Sequence, residues 1–275
     1  MPKATALDNV IRKLARERAD RLRSAYLANG MPAEELAAGE AELKAELAPM
    51  FKTWKPSMRM PKRGIQGAML ENRFKNLFET QESGGYNDFE GRRNLSSEYF
   101  GTRPNEEREK YGYLRRPRKY GRDDVENYGD FTVEFKPSVR KRMTVTNGDS
   151  YNNLLGNTVA SIAAPGSPIV IDDPETYINW MGLSMSEADQ DEELYNGRMM
   201  RKVIDDLKFY RRPTFGNDEY VEAQYHGPLT LKDVKSVTVP RWNGLDDWRP
   251  DMMHRSDRFG FPIYGYSGEC LYNCR

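Results

Sequence analysis

The chain is poor in the two residue types that build most hydrolytic and zinc sites. Its 275 residues include two histidines, His226 and His254, and two cysteines, Cys270 and Cys274. Two histidines leave few ways to form a catalytic pair of serine or cysteine with histidine. Two cysteines cannot complete a tetrahedral zinc site alone, and the sequence predicts reduced thiols at the C-terminus, with a local disulfide as the alternative.

Net charge, long apolar runs and the common nucleotide motifs are also missing. The 42 Lys and Arg balance the 42 Asp and Glu, so the molecule as a whole does not attract nucleic acid or membranes, although a local charged region could. No apolar run approaches the roughly 18 residues of a membrane span. Residues 1–28 lack the apolar core of a secretory signal. The sequence also has no glycine-rich phosphate loop and no nucleophile elbow. We therefore expect a protein that is made in the cytoplasm and has no membrane span.

What the chain does have is aromatic residues, with 16 Tyr, 11 Phe and 4 Trp, which is too many for a disordered chain. The first part of the sequence predicts two helices, at residues 5–28 and 33–50, which carry opposite charge and are joined by a short break. They predict an antiparallel hairpin, either a solvated pair or a docking device. Residues 51–63 are basic and contain two prolines, which is typical of a linker or an extended arm.

The middle of the chain predicts an α+β domain over residues 64–240, with helices first and then a short-stranded antiparallel sheet. Amphipathic helices are predicted at 65–81 and 89–101, and a long helix at 184–212 that begins near Ser184 or Ser186. Strands are predicted at 130–136, 140–146, 168–171, 219–226 and 236–239. Residues 241–275 show no period and are predicted to be an irregular aromatic and basic tail.

One predicted strand carries a row of polar side chains. In "EYVEAQYHGP" (219–228), Glu222, Gln224 and His226 alternate and so share one face. Alternation alone also predicts the solvent face of an edge strand, with Val221 and Ala223 towards the core. The spacing therefore leaves open whether these three residues form a site.

Four stretches occur in an order that resembles a known family. They are "FKNLFETQESGGYNDFEGRRNLSSEYFG" (74–101), "REKYGYL" (108–114), "RMTVTNGDS" (142–150) and "YVEAQYHGPLTLKDV" (220–234). They resemble uncharacterised bacterial and phage proteins that are grouped with the mono-ADP-ribosyltransferases. The resemblance covers roughly residues 65–240 and implies a split antiparallel sheet with flanking helices that holds NAD in a bent form. The N-terminal helical hairpin with its basic linker (1–63) and the irregular tail (241–275) lie outside it.

The resemblance also implies catalytic roles on the strand at 219–226. Glu222 would be the carboxylate that stabilises the oxocarbenium-like transition state as the nicotinamide–ribose bond breaks. Gln224 and His226 would share its face of the cleft. Such enzymes usually carry Glu or Gln two residues before this glutamate, whereas here the residue is Tyr220, which leaves the acceptor open.

NAD-binding roles fall on two other stretches. The resemblance implies that Arg108 holds the diphosphate, because a guanidinium can bind phosphate in a bidentate manner. Arg115 or Arg116 is the alternative in this basic stretch. Thr144 and Thr146 alternate on the strand "MTVT" and would orient the carboxylate or the ribose.

The function implied is an NAD-dependent mono-ADP-ribosyltransferase that transfers ADP-ribose to a protein or nucleic-acid acceptor, as a toxin, an effector or a phage-carried enzyme. Delivery to a target cell or packaging in a virion, and an immunity or virion partner bound through residues 1–63, would fit that role. One alternative is an inactive structural or virion interaction protein with the same fold. The other is a nucleic-acid-binding module that uses the basic stretch 108–122 with Tyr111, Tyr113 and Tyr120.

Overall fold

The computed structural model describes residues 7–28, 30–81, 89–117, 125, 128–148, 150, 168–181, 197–210, 220–240 and 247–274. Within these ranges the helices are α1 (Asn9–Ala28), α2 (Ala33–Thr53), α3 (Lys62–Glu71), α4 (Leu77–Thr80), α5 (Phe89–Phe100), α6 (Gly197–Tyr210) and α7 (Arg249–Phe259). The strands are β1 (Lys55–Met60), β2 (Lys110–Arg115), β3 (Phe131–Phe135), β4 (Met143–Asn147), β5 (Ile169–Val170), β6 (Val221–Tyr225), β7 (Val234–Val239), β8 (Ile263–Gly265) and β9 (Cys270–Tyr272).

The strands form one open sheet in the order β5-β4-β6-β2-β1-β3-β7-β8-β9. Every described pair of neighbours is antiparallel except β7 and β8, which are parallel. The predicted α+β class, with helices first and a mostly antiparallel sheet after them, is therefore confirmed. None of the helices in the described residues is long and apolar enough to cross a membrane.

The two faces of the sheet differ in chemistry because side chains alternate along each strand. One face carries Val145, Ala223, Val133 and Val237, all fully buried in the main apolar cluster with α2 and α6. Burying an aliphatic or aromatic side chain of this kind contributes about 1.5–3 kcal/mol, so this face supplies much of the stability. The opposite face carries hydroxyl, amide and carboxylate groups and forms the candidate site.

The N-terminal helices belong to the body of the protein, and the expectation of a solvated pair is wrong. In α1 the side chains of Ile11 and Leu22 are buried, and Arg18 donates to the backbone carbonyls of Glu98 and Tyr99 in α5. In α2 the ring of Phe51 packs edge-on against Tyr177 and Trp180. Opposite charge predicted the pairing of the helices, but the apolar sides of both helices are buried in the apolar clusters of the protein.

The basic segment expected to be a linker contains β1, which lies in the middle of the sheet. Proline at a central strand position normally argues against a strand, because it cannot donate to a ladder. Pro56 lies in the half of β1 that pairs with β2 alone, since pairing with β3 begins at Ser57. The strand has only one partner at Pro56, and a residue without an N–H is tolerated there.

Residues 247–274 form regular elements, so the predicted irregular tail is also wrong over the part of it that the structure describes. This part forms α7 and adds β8 and β9 to the sheet edge, with Phe261 and Ile263 fully buried. Cys270 and Cys274 are joined by a disulfide rather than being reduced thiols. The two strands were missed because strands of three residues carry too little periodicity to be recognised.

Two predicted helices differ in their bounds. The helix expected at 65–81 ends at Glu71, because Asn72 adopts a left-handed conformation with φ of 59°, and the short α4 begins after the capping residue Asn76. The helix expected at 184–212 is described only as Gly197–Tyr210, so its proposed N-caps Ser184 and Ser186 lie outside the described residues.

Candidate active site in the gap between β1 and β2

The sheet opens between its two central strands. The ladder between β1 and β2 covers three residue pairs within the described strands, from Lys55 and Arg115 to Ser57 and Tyr113. Beyond Ser57, β1 continues alongside β3, whereas β2 continues alongside β6. The two halves of the sheet therefore separate at Ser57, and a cavity of about 560 Å³ lies where they part.

Gly112 allows the two strands to come this close before they separate. A Cβ atom on Gly112 would lie 2.4 Å from the carbonyl oxygen of Ser57 and 2.7 Å from a ring carbon of Tyr225. That carbonyl oxygen also accepts a hydrogen bond of 2.9 Å from the Tyr225 hydroxyl. Only glycine fits here without displacing one of these groups.

Glu222 lies at the wall of this cavity, 4% exposed, and its carboxylate is held by donors from β4, β6 and the segment after β4. Its Oε1 accepts from Gln224 Nε2 at 2.7 Å, from the hydroxyl of Ser150, and more weakly from Thr146 Oγ1 at 3.5 Å. Strand pairing places Glu222 opposite Thr146 on one side and Tyr113 on the other. Several donors on one oxygen fix the orientation of this carboxylate.

Gln224 and the two threonines lie behind Glu222 and are fully buried. Thr144 Oγ1 donates to Gln224 Oε1 at 2.9 Å, and Gln224 Nε2 donates to Thr146 Oγ1 at 3.1 Å. The pairing of β4 with β6 places Thr144 opposite Gln224, so the contacts follow directly from the register. The structure therefore brings together these three predicted residues with Glu222, but only Glu222 lines the cavity.

His226 follows the end of β6 and is buried outside the cavity lining. Its Nε2 lies 2.9 Å from Thr144 Oγ1, and its ring packs edge-on against Phe100 with centroids 4.7 Å apart. Burial lowers the pKa of His226 to about 3, with the positive charge of Arg103 as the next cause, so the imidazole is neutral at pH 7. This histidine does not reach a ligand in the cavity.

Arg108 is also placed away from the cavity lining. Its guanidinium donates to the carbonyl of Arg93 at 3.1 Å and to the hydroxyls of Ser96 and Ser97 at 2.8 and 3.1 Å, all on α5. Burial lowers the pKa of Arg108, and its guanidinium lies over the ring of Phe78. The alternative Arg116 lies over the ring of Trp54 instead.

Other cations line the cavity, and the sequence reasoning missed them. They are Arg59, Arg63, Arg73, Lys75 and Arg92, against the two carboxylates Glu71 and Glu222. Arg73 and Lys75 are ion-paired with Glu71, and Arg73 also with Glu79. Arg92 projects from α5 and is 9% exposed. The charge of Glu222 raises the pKa of Tyr111, and the charge of Arg92 lowers it. In the sequence, Arg92 lies in the stretch "FEGRRN", which is typical of an ordinary helix surface and does not indicate a site.

Four tyrosines contribute aromatic surface to the cavity. Tyr111, Tyr113, Tyr128 and Tyr220 line the cavity, and the last two meet edge-on with centroids 6.3 Å apart. Tyr111 donates its hydroxyl proton to the buried Glu109 at 2.6 Å. Burial and the charges of Glu109 and Glu222 raise the pKa of Tyr111 well above its usual value, so it stays protonated.

Within the basic stretch 108–122, two of the three tyrosines expected to stack on nucleic-acid bases are described, and Tyr111 is partly buried at the cavity. Tyr113 is 1% exposed and Arg108 is packed on α5, while Tyr120 lies outside the described residues. Among the described residues there is no group of three or more His, Cys, Asp or Glu placed to hold a metal ion.

Comparison with known proteins gives one distant similarity. No protein-family model matches the chain. A curated protein, the Gene 2 protein of Mycobacterium phage L5, is 31% identical over 110 residues, which make up 40% of this chain and 37% of that protein. The chain therefore matches little more than a third of this relative's length, which indicates a distant similarity to a phage protein and assigns no family.

Proposed function

We propose that the protein is an NAD-dependent mono-ADP-ribosyltransferase with Glu222 as its catalytic carboxylate. The observation that carries the proposal is the carboxylate of Glu222, oriented by side-chain donors at the wall of a cavity that also offers cations and aromatic rings. Cations suit a diphosphate and aromatic rings suit the two planar bases of a dinucleotide. The volume of about 560 Å³ lies within the range usual for cofactor-sized ligands.

The proposed reaction begins at the bond between the nicotinamide nitrogen and ribose C1′. That bond breaks, nicotinamide leaves with the electron pair, and positive charge develops on the ribose. Glu222 stabilises this charge, because an oriented carboxylate is most useful where charge appears only in the transition state. An acceptor nucleophile then bonds to C1′ and loses its proton to solvent.

For the diphosphate we propose Arg92 rather than Arg108. Arg92 lines the cavity, whereas the guanidinium of Arg108 is engaged by the carbonyl and hydroxyl oxygens of α5. Arg92 lies on α5 and Arg108 packs against α5, so the cation proposed here differs from the one that the resemblance implies. The gap between β1 and β2 is in keeping with the split sheet that the resemblance implies.

The acceptor is a macromolecule in this proposal, and the similarity to a mycobacteriophage protein supports a phage-carried enzyme. The same similarity favours a second candidate, an inactive virion interaction protein with this fold. The two differ in one measurable respect, since only the enzyme turns over NAD.

The test is nicotinamide release from NAD by the purified protein, with cell lysate as a source of acceptors. Glu222→Gln keeps the shape and removes the charge, and we expect release to fall roughly a hundredfold or more. The matched control is Glu134→Gln. Glu134 is a buried carboxylate on the same face of the sheet, paired with Lys55 and Lys235 outside the cavity lining, and this variant should keep its rate.

Each outcome has one meaning. A wild-type protein that releases no nicotinamide refutes the enzyme and favours the virion component. Release that survives in Glu222→Gln refutes Glu222 as the catalytic group. Equal loss in both variants shows damage to the fold rather than to the chemistry.

A further inference from the structure

We infer that His226 is a positioning residue for Glu222, acting through a chain of hydrogen bonds whose donors all point towards the carboxylate. The chain has three links. His226 Nε2 lies 2.9 Å from Thr144 Oγ1, which lies 2.9 Å from Gln224 Oε1. Gln224 Nε2 lies 2.7 Å from Glu222 Oε1. Its catalytic meaning rests on the function proposed above, but its geometry does not.

The direction of the chain follows from what each group can donate. An ionised carboxylate only accepts, so Gln224 must present its NH₂ group to Glu222. The amide oxygen of Gln224 then faces Thr144 and also only accepts. The single hydroxyl proton of Thr144 is therefore used on Gln224, and the Thr144 oxygen accepts from the ring. It follows that His226 carries its proton on Nε2.

A His226 ring without a proton on Nε2 conflicts with the charge of Glu222. If Nε2 were bare, the Thr144 proton would turn towards it, and two oxygens without a proton would face each other at 2.9 Å. Rotating the Gln224 amide would relieve this conflict. It would also place the amide oxygen against the Glu222 oxygen at 2.7 Å, which is tolerable only for a protonated carboxyl. The tautomer of His226 and the ionised state of Glu222 are thus linked.

The surroundings of His226 fix the ring and keep it neutral. The ring is packed against Phe100, and the backbone N–H of His226 donates to the carbonyl of Arg142 at 2.9 Å. Burial lowers its pKa to about 3, and the charges facing it are those of Arg103, Lys110 and Arg142, which lower the pKa, and of Asp8, which raises it. A neutral ring has one N–H to give, as the chain requires.

The tautomer can be measured without any assay of activity. In the protein labelled with ¹⁵N-histidine, proton–nitrogen correlation spectra at pH 7 distinguish a neutral ring protonated on Nε2 from one protonated on Nδ1 and from the cation. The chain has two histidines, so His254→Gln leaves one set of signals and assigns it to His226. We expect the neutral Nε2–H tautomer. A neutral Nδ1–H ring or an imidazolium overturns the inference.

Kinetics then test whether the chain positions the carboxylate. Thr144→Val removes the hydroxyl at nearly constant volume, and Thr144→Ser keeps it. We expect kcat for nicotinamide release to fall roughly tenfold or more in the valine variant, with the KM for NAD little changed, and to recover in the serine variant. His226→Phe and His226→Gln form a second pair, since glutamine restores a donor at the position of Nε2 and phenylalanine does not.

The outcomes separate this inference from the proposed function. Equal kcat in the valine and serine variants, both folded, overturns the positioning role. If the wild type releases no nicotinamide, the proposed function fails, and the spectra alone then decide whether the chain of hydrogen bonds exists.

Discussion

Replacing Gly112 by alanine tests the close approach that opens the sheet. The new methyl group would lie 2.4 Å from the Ser57 carbonyl oxygen and 2.7 Å from the Tyr225 ring, whereas carbon contacts are favourable at about 3.5–4.0 Å. Both groups, or the Gly112 backbone itself, must therefore move by about 1 Å. Both are buried, and they are joined to each other by the hydrogen bond from the Tyr225 hydroxyl.

Two costs add up in this variant. Forcing an extra carbon into a packed interior typically costs about 1–3 kcal/mol. Losing the hydrogen bond between the Tyr225 hydroxyl and Ser57 adds about 1 kcal/mol. We therefore expect the free energy of unfolding to fall by about 2–4 kcal/mol. Tyr225→Phe removes only the hydrogen bond and should cost about 1 kcal/mol.

Urea denaturation of the purified variants measures these differences, and Gly67→Ala is the matched control. Gly67 also lines the cavity, but it lies inside α3 and a Cβ there would meet nothing within 4 Å. Helix propensity predicts that this variant is more stable than the wild type by about 0.5–1 kcal/mol. A Gly112→Ala protein as stable as the wild type would refute the close approach of β1 and β2, and with it the geometry of the cavity.

Two further predictions concern stability against pH. Burial lowers the pKa of Lys110 to about 8, so above pH 8 the folded chain has lost a proton that the unfolded chain keeps. Relative to Lys110→Met, the wild type should therefore gain up to about 1.4 kcal/mol per unit as the pH rises from 8 towards 10, and parallel curves would contradict this. Burial lowers the pKa of His226 to about 3, so only the unfolded chain binds this proton between pH 6.5 and 3. The wild type should lose up to about 1.4 kcal/mol per unit relative to His226→Gln as the pH falls through that range, measured in urea at fixed ionic strength, and a curve without that extra slope would show that the ring is hydrated.

Local periodicity predicted much of the fold, because it carries the signal for long elements. The helices at Asn9–Ala28 and Ala33–Thr53 and the strand at Phe131–Phe135 were all expected within a few residues. The strand at Lys55–Met60 was not expected, since its proline and its charges are typical of a linker. Its place in the sheet depends on partners more than 50 residues away in sequence, at Leu114 and Val133. Tertiary pairing overrode the local signal there.

The candidate site was predicted in part for a similar reason. Alternation placed Glu222 and Gln224 on one face, and the pairing with β4 confirms that Thr144 and Thr146 share that face with them. Alternation could not show which of these residues reaches the cavity, because that depends on where β1 and β2 part. Nor could it show that the cations of the cavity come from α3, its flanks and α5, since Arg92 has no periodic or motif signal of its own.

The buried polar side chains on and beside β6 carry a cost in folding free energy. Burying an amide, two hydroxyls and an imidazole costs free energy unless each finds a partner, and apolar residues of similar shape would fill the same space without that cost. Stability alone therefore gives no reason for Gln224, Thr144 and His226 to be there. The reason lies with Glu222, whose nearly buried carboxylate needs donors if it is to stay charged. A strand that only covered a core or faced water would need neither the carboxylate nor its donors. The alternative of a solvent-facing edge strand is wrong, because β6 pairs with β4 on one side and β2 on the other, and its polar side chains are buried. The carboxylate at the cavity, together with its donors, favours a site.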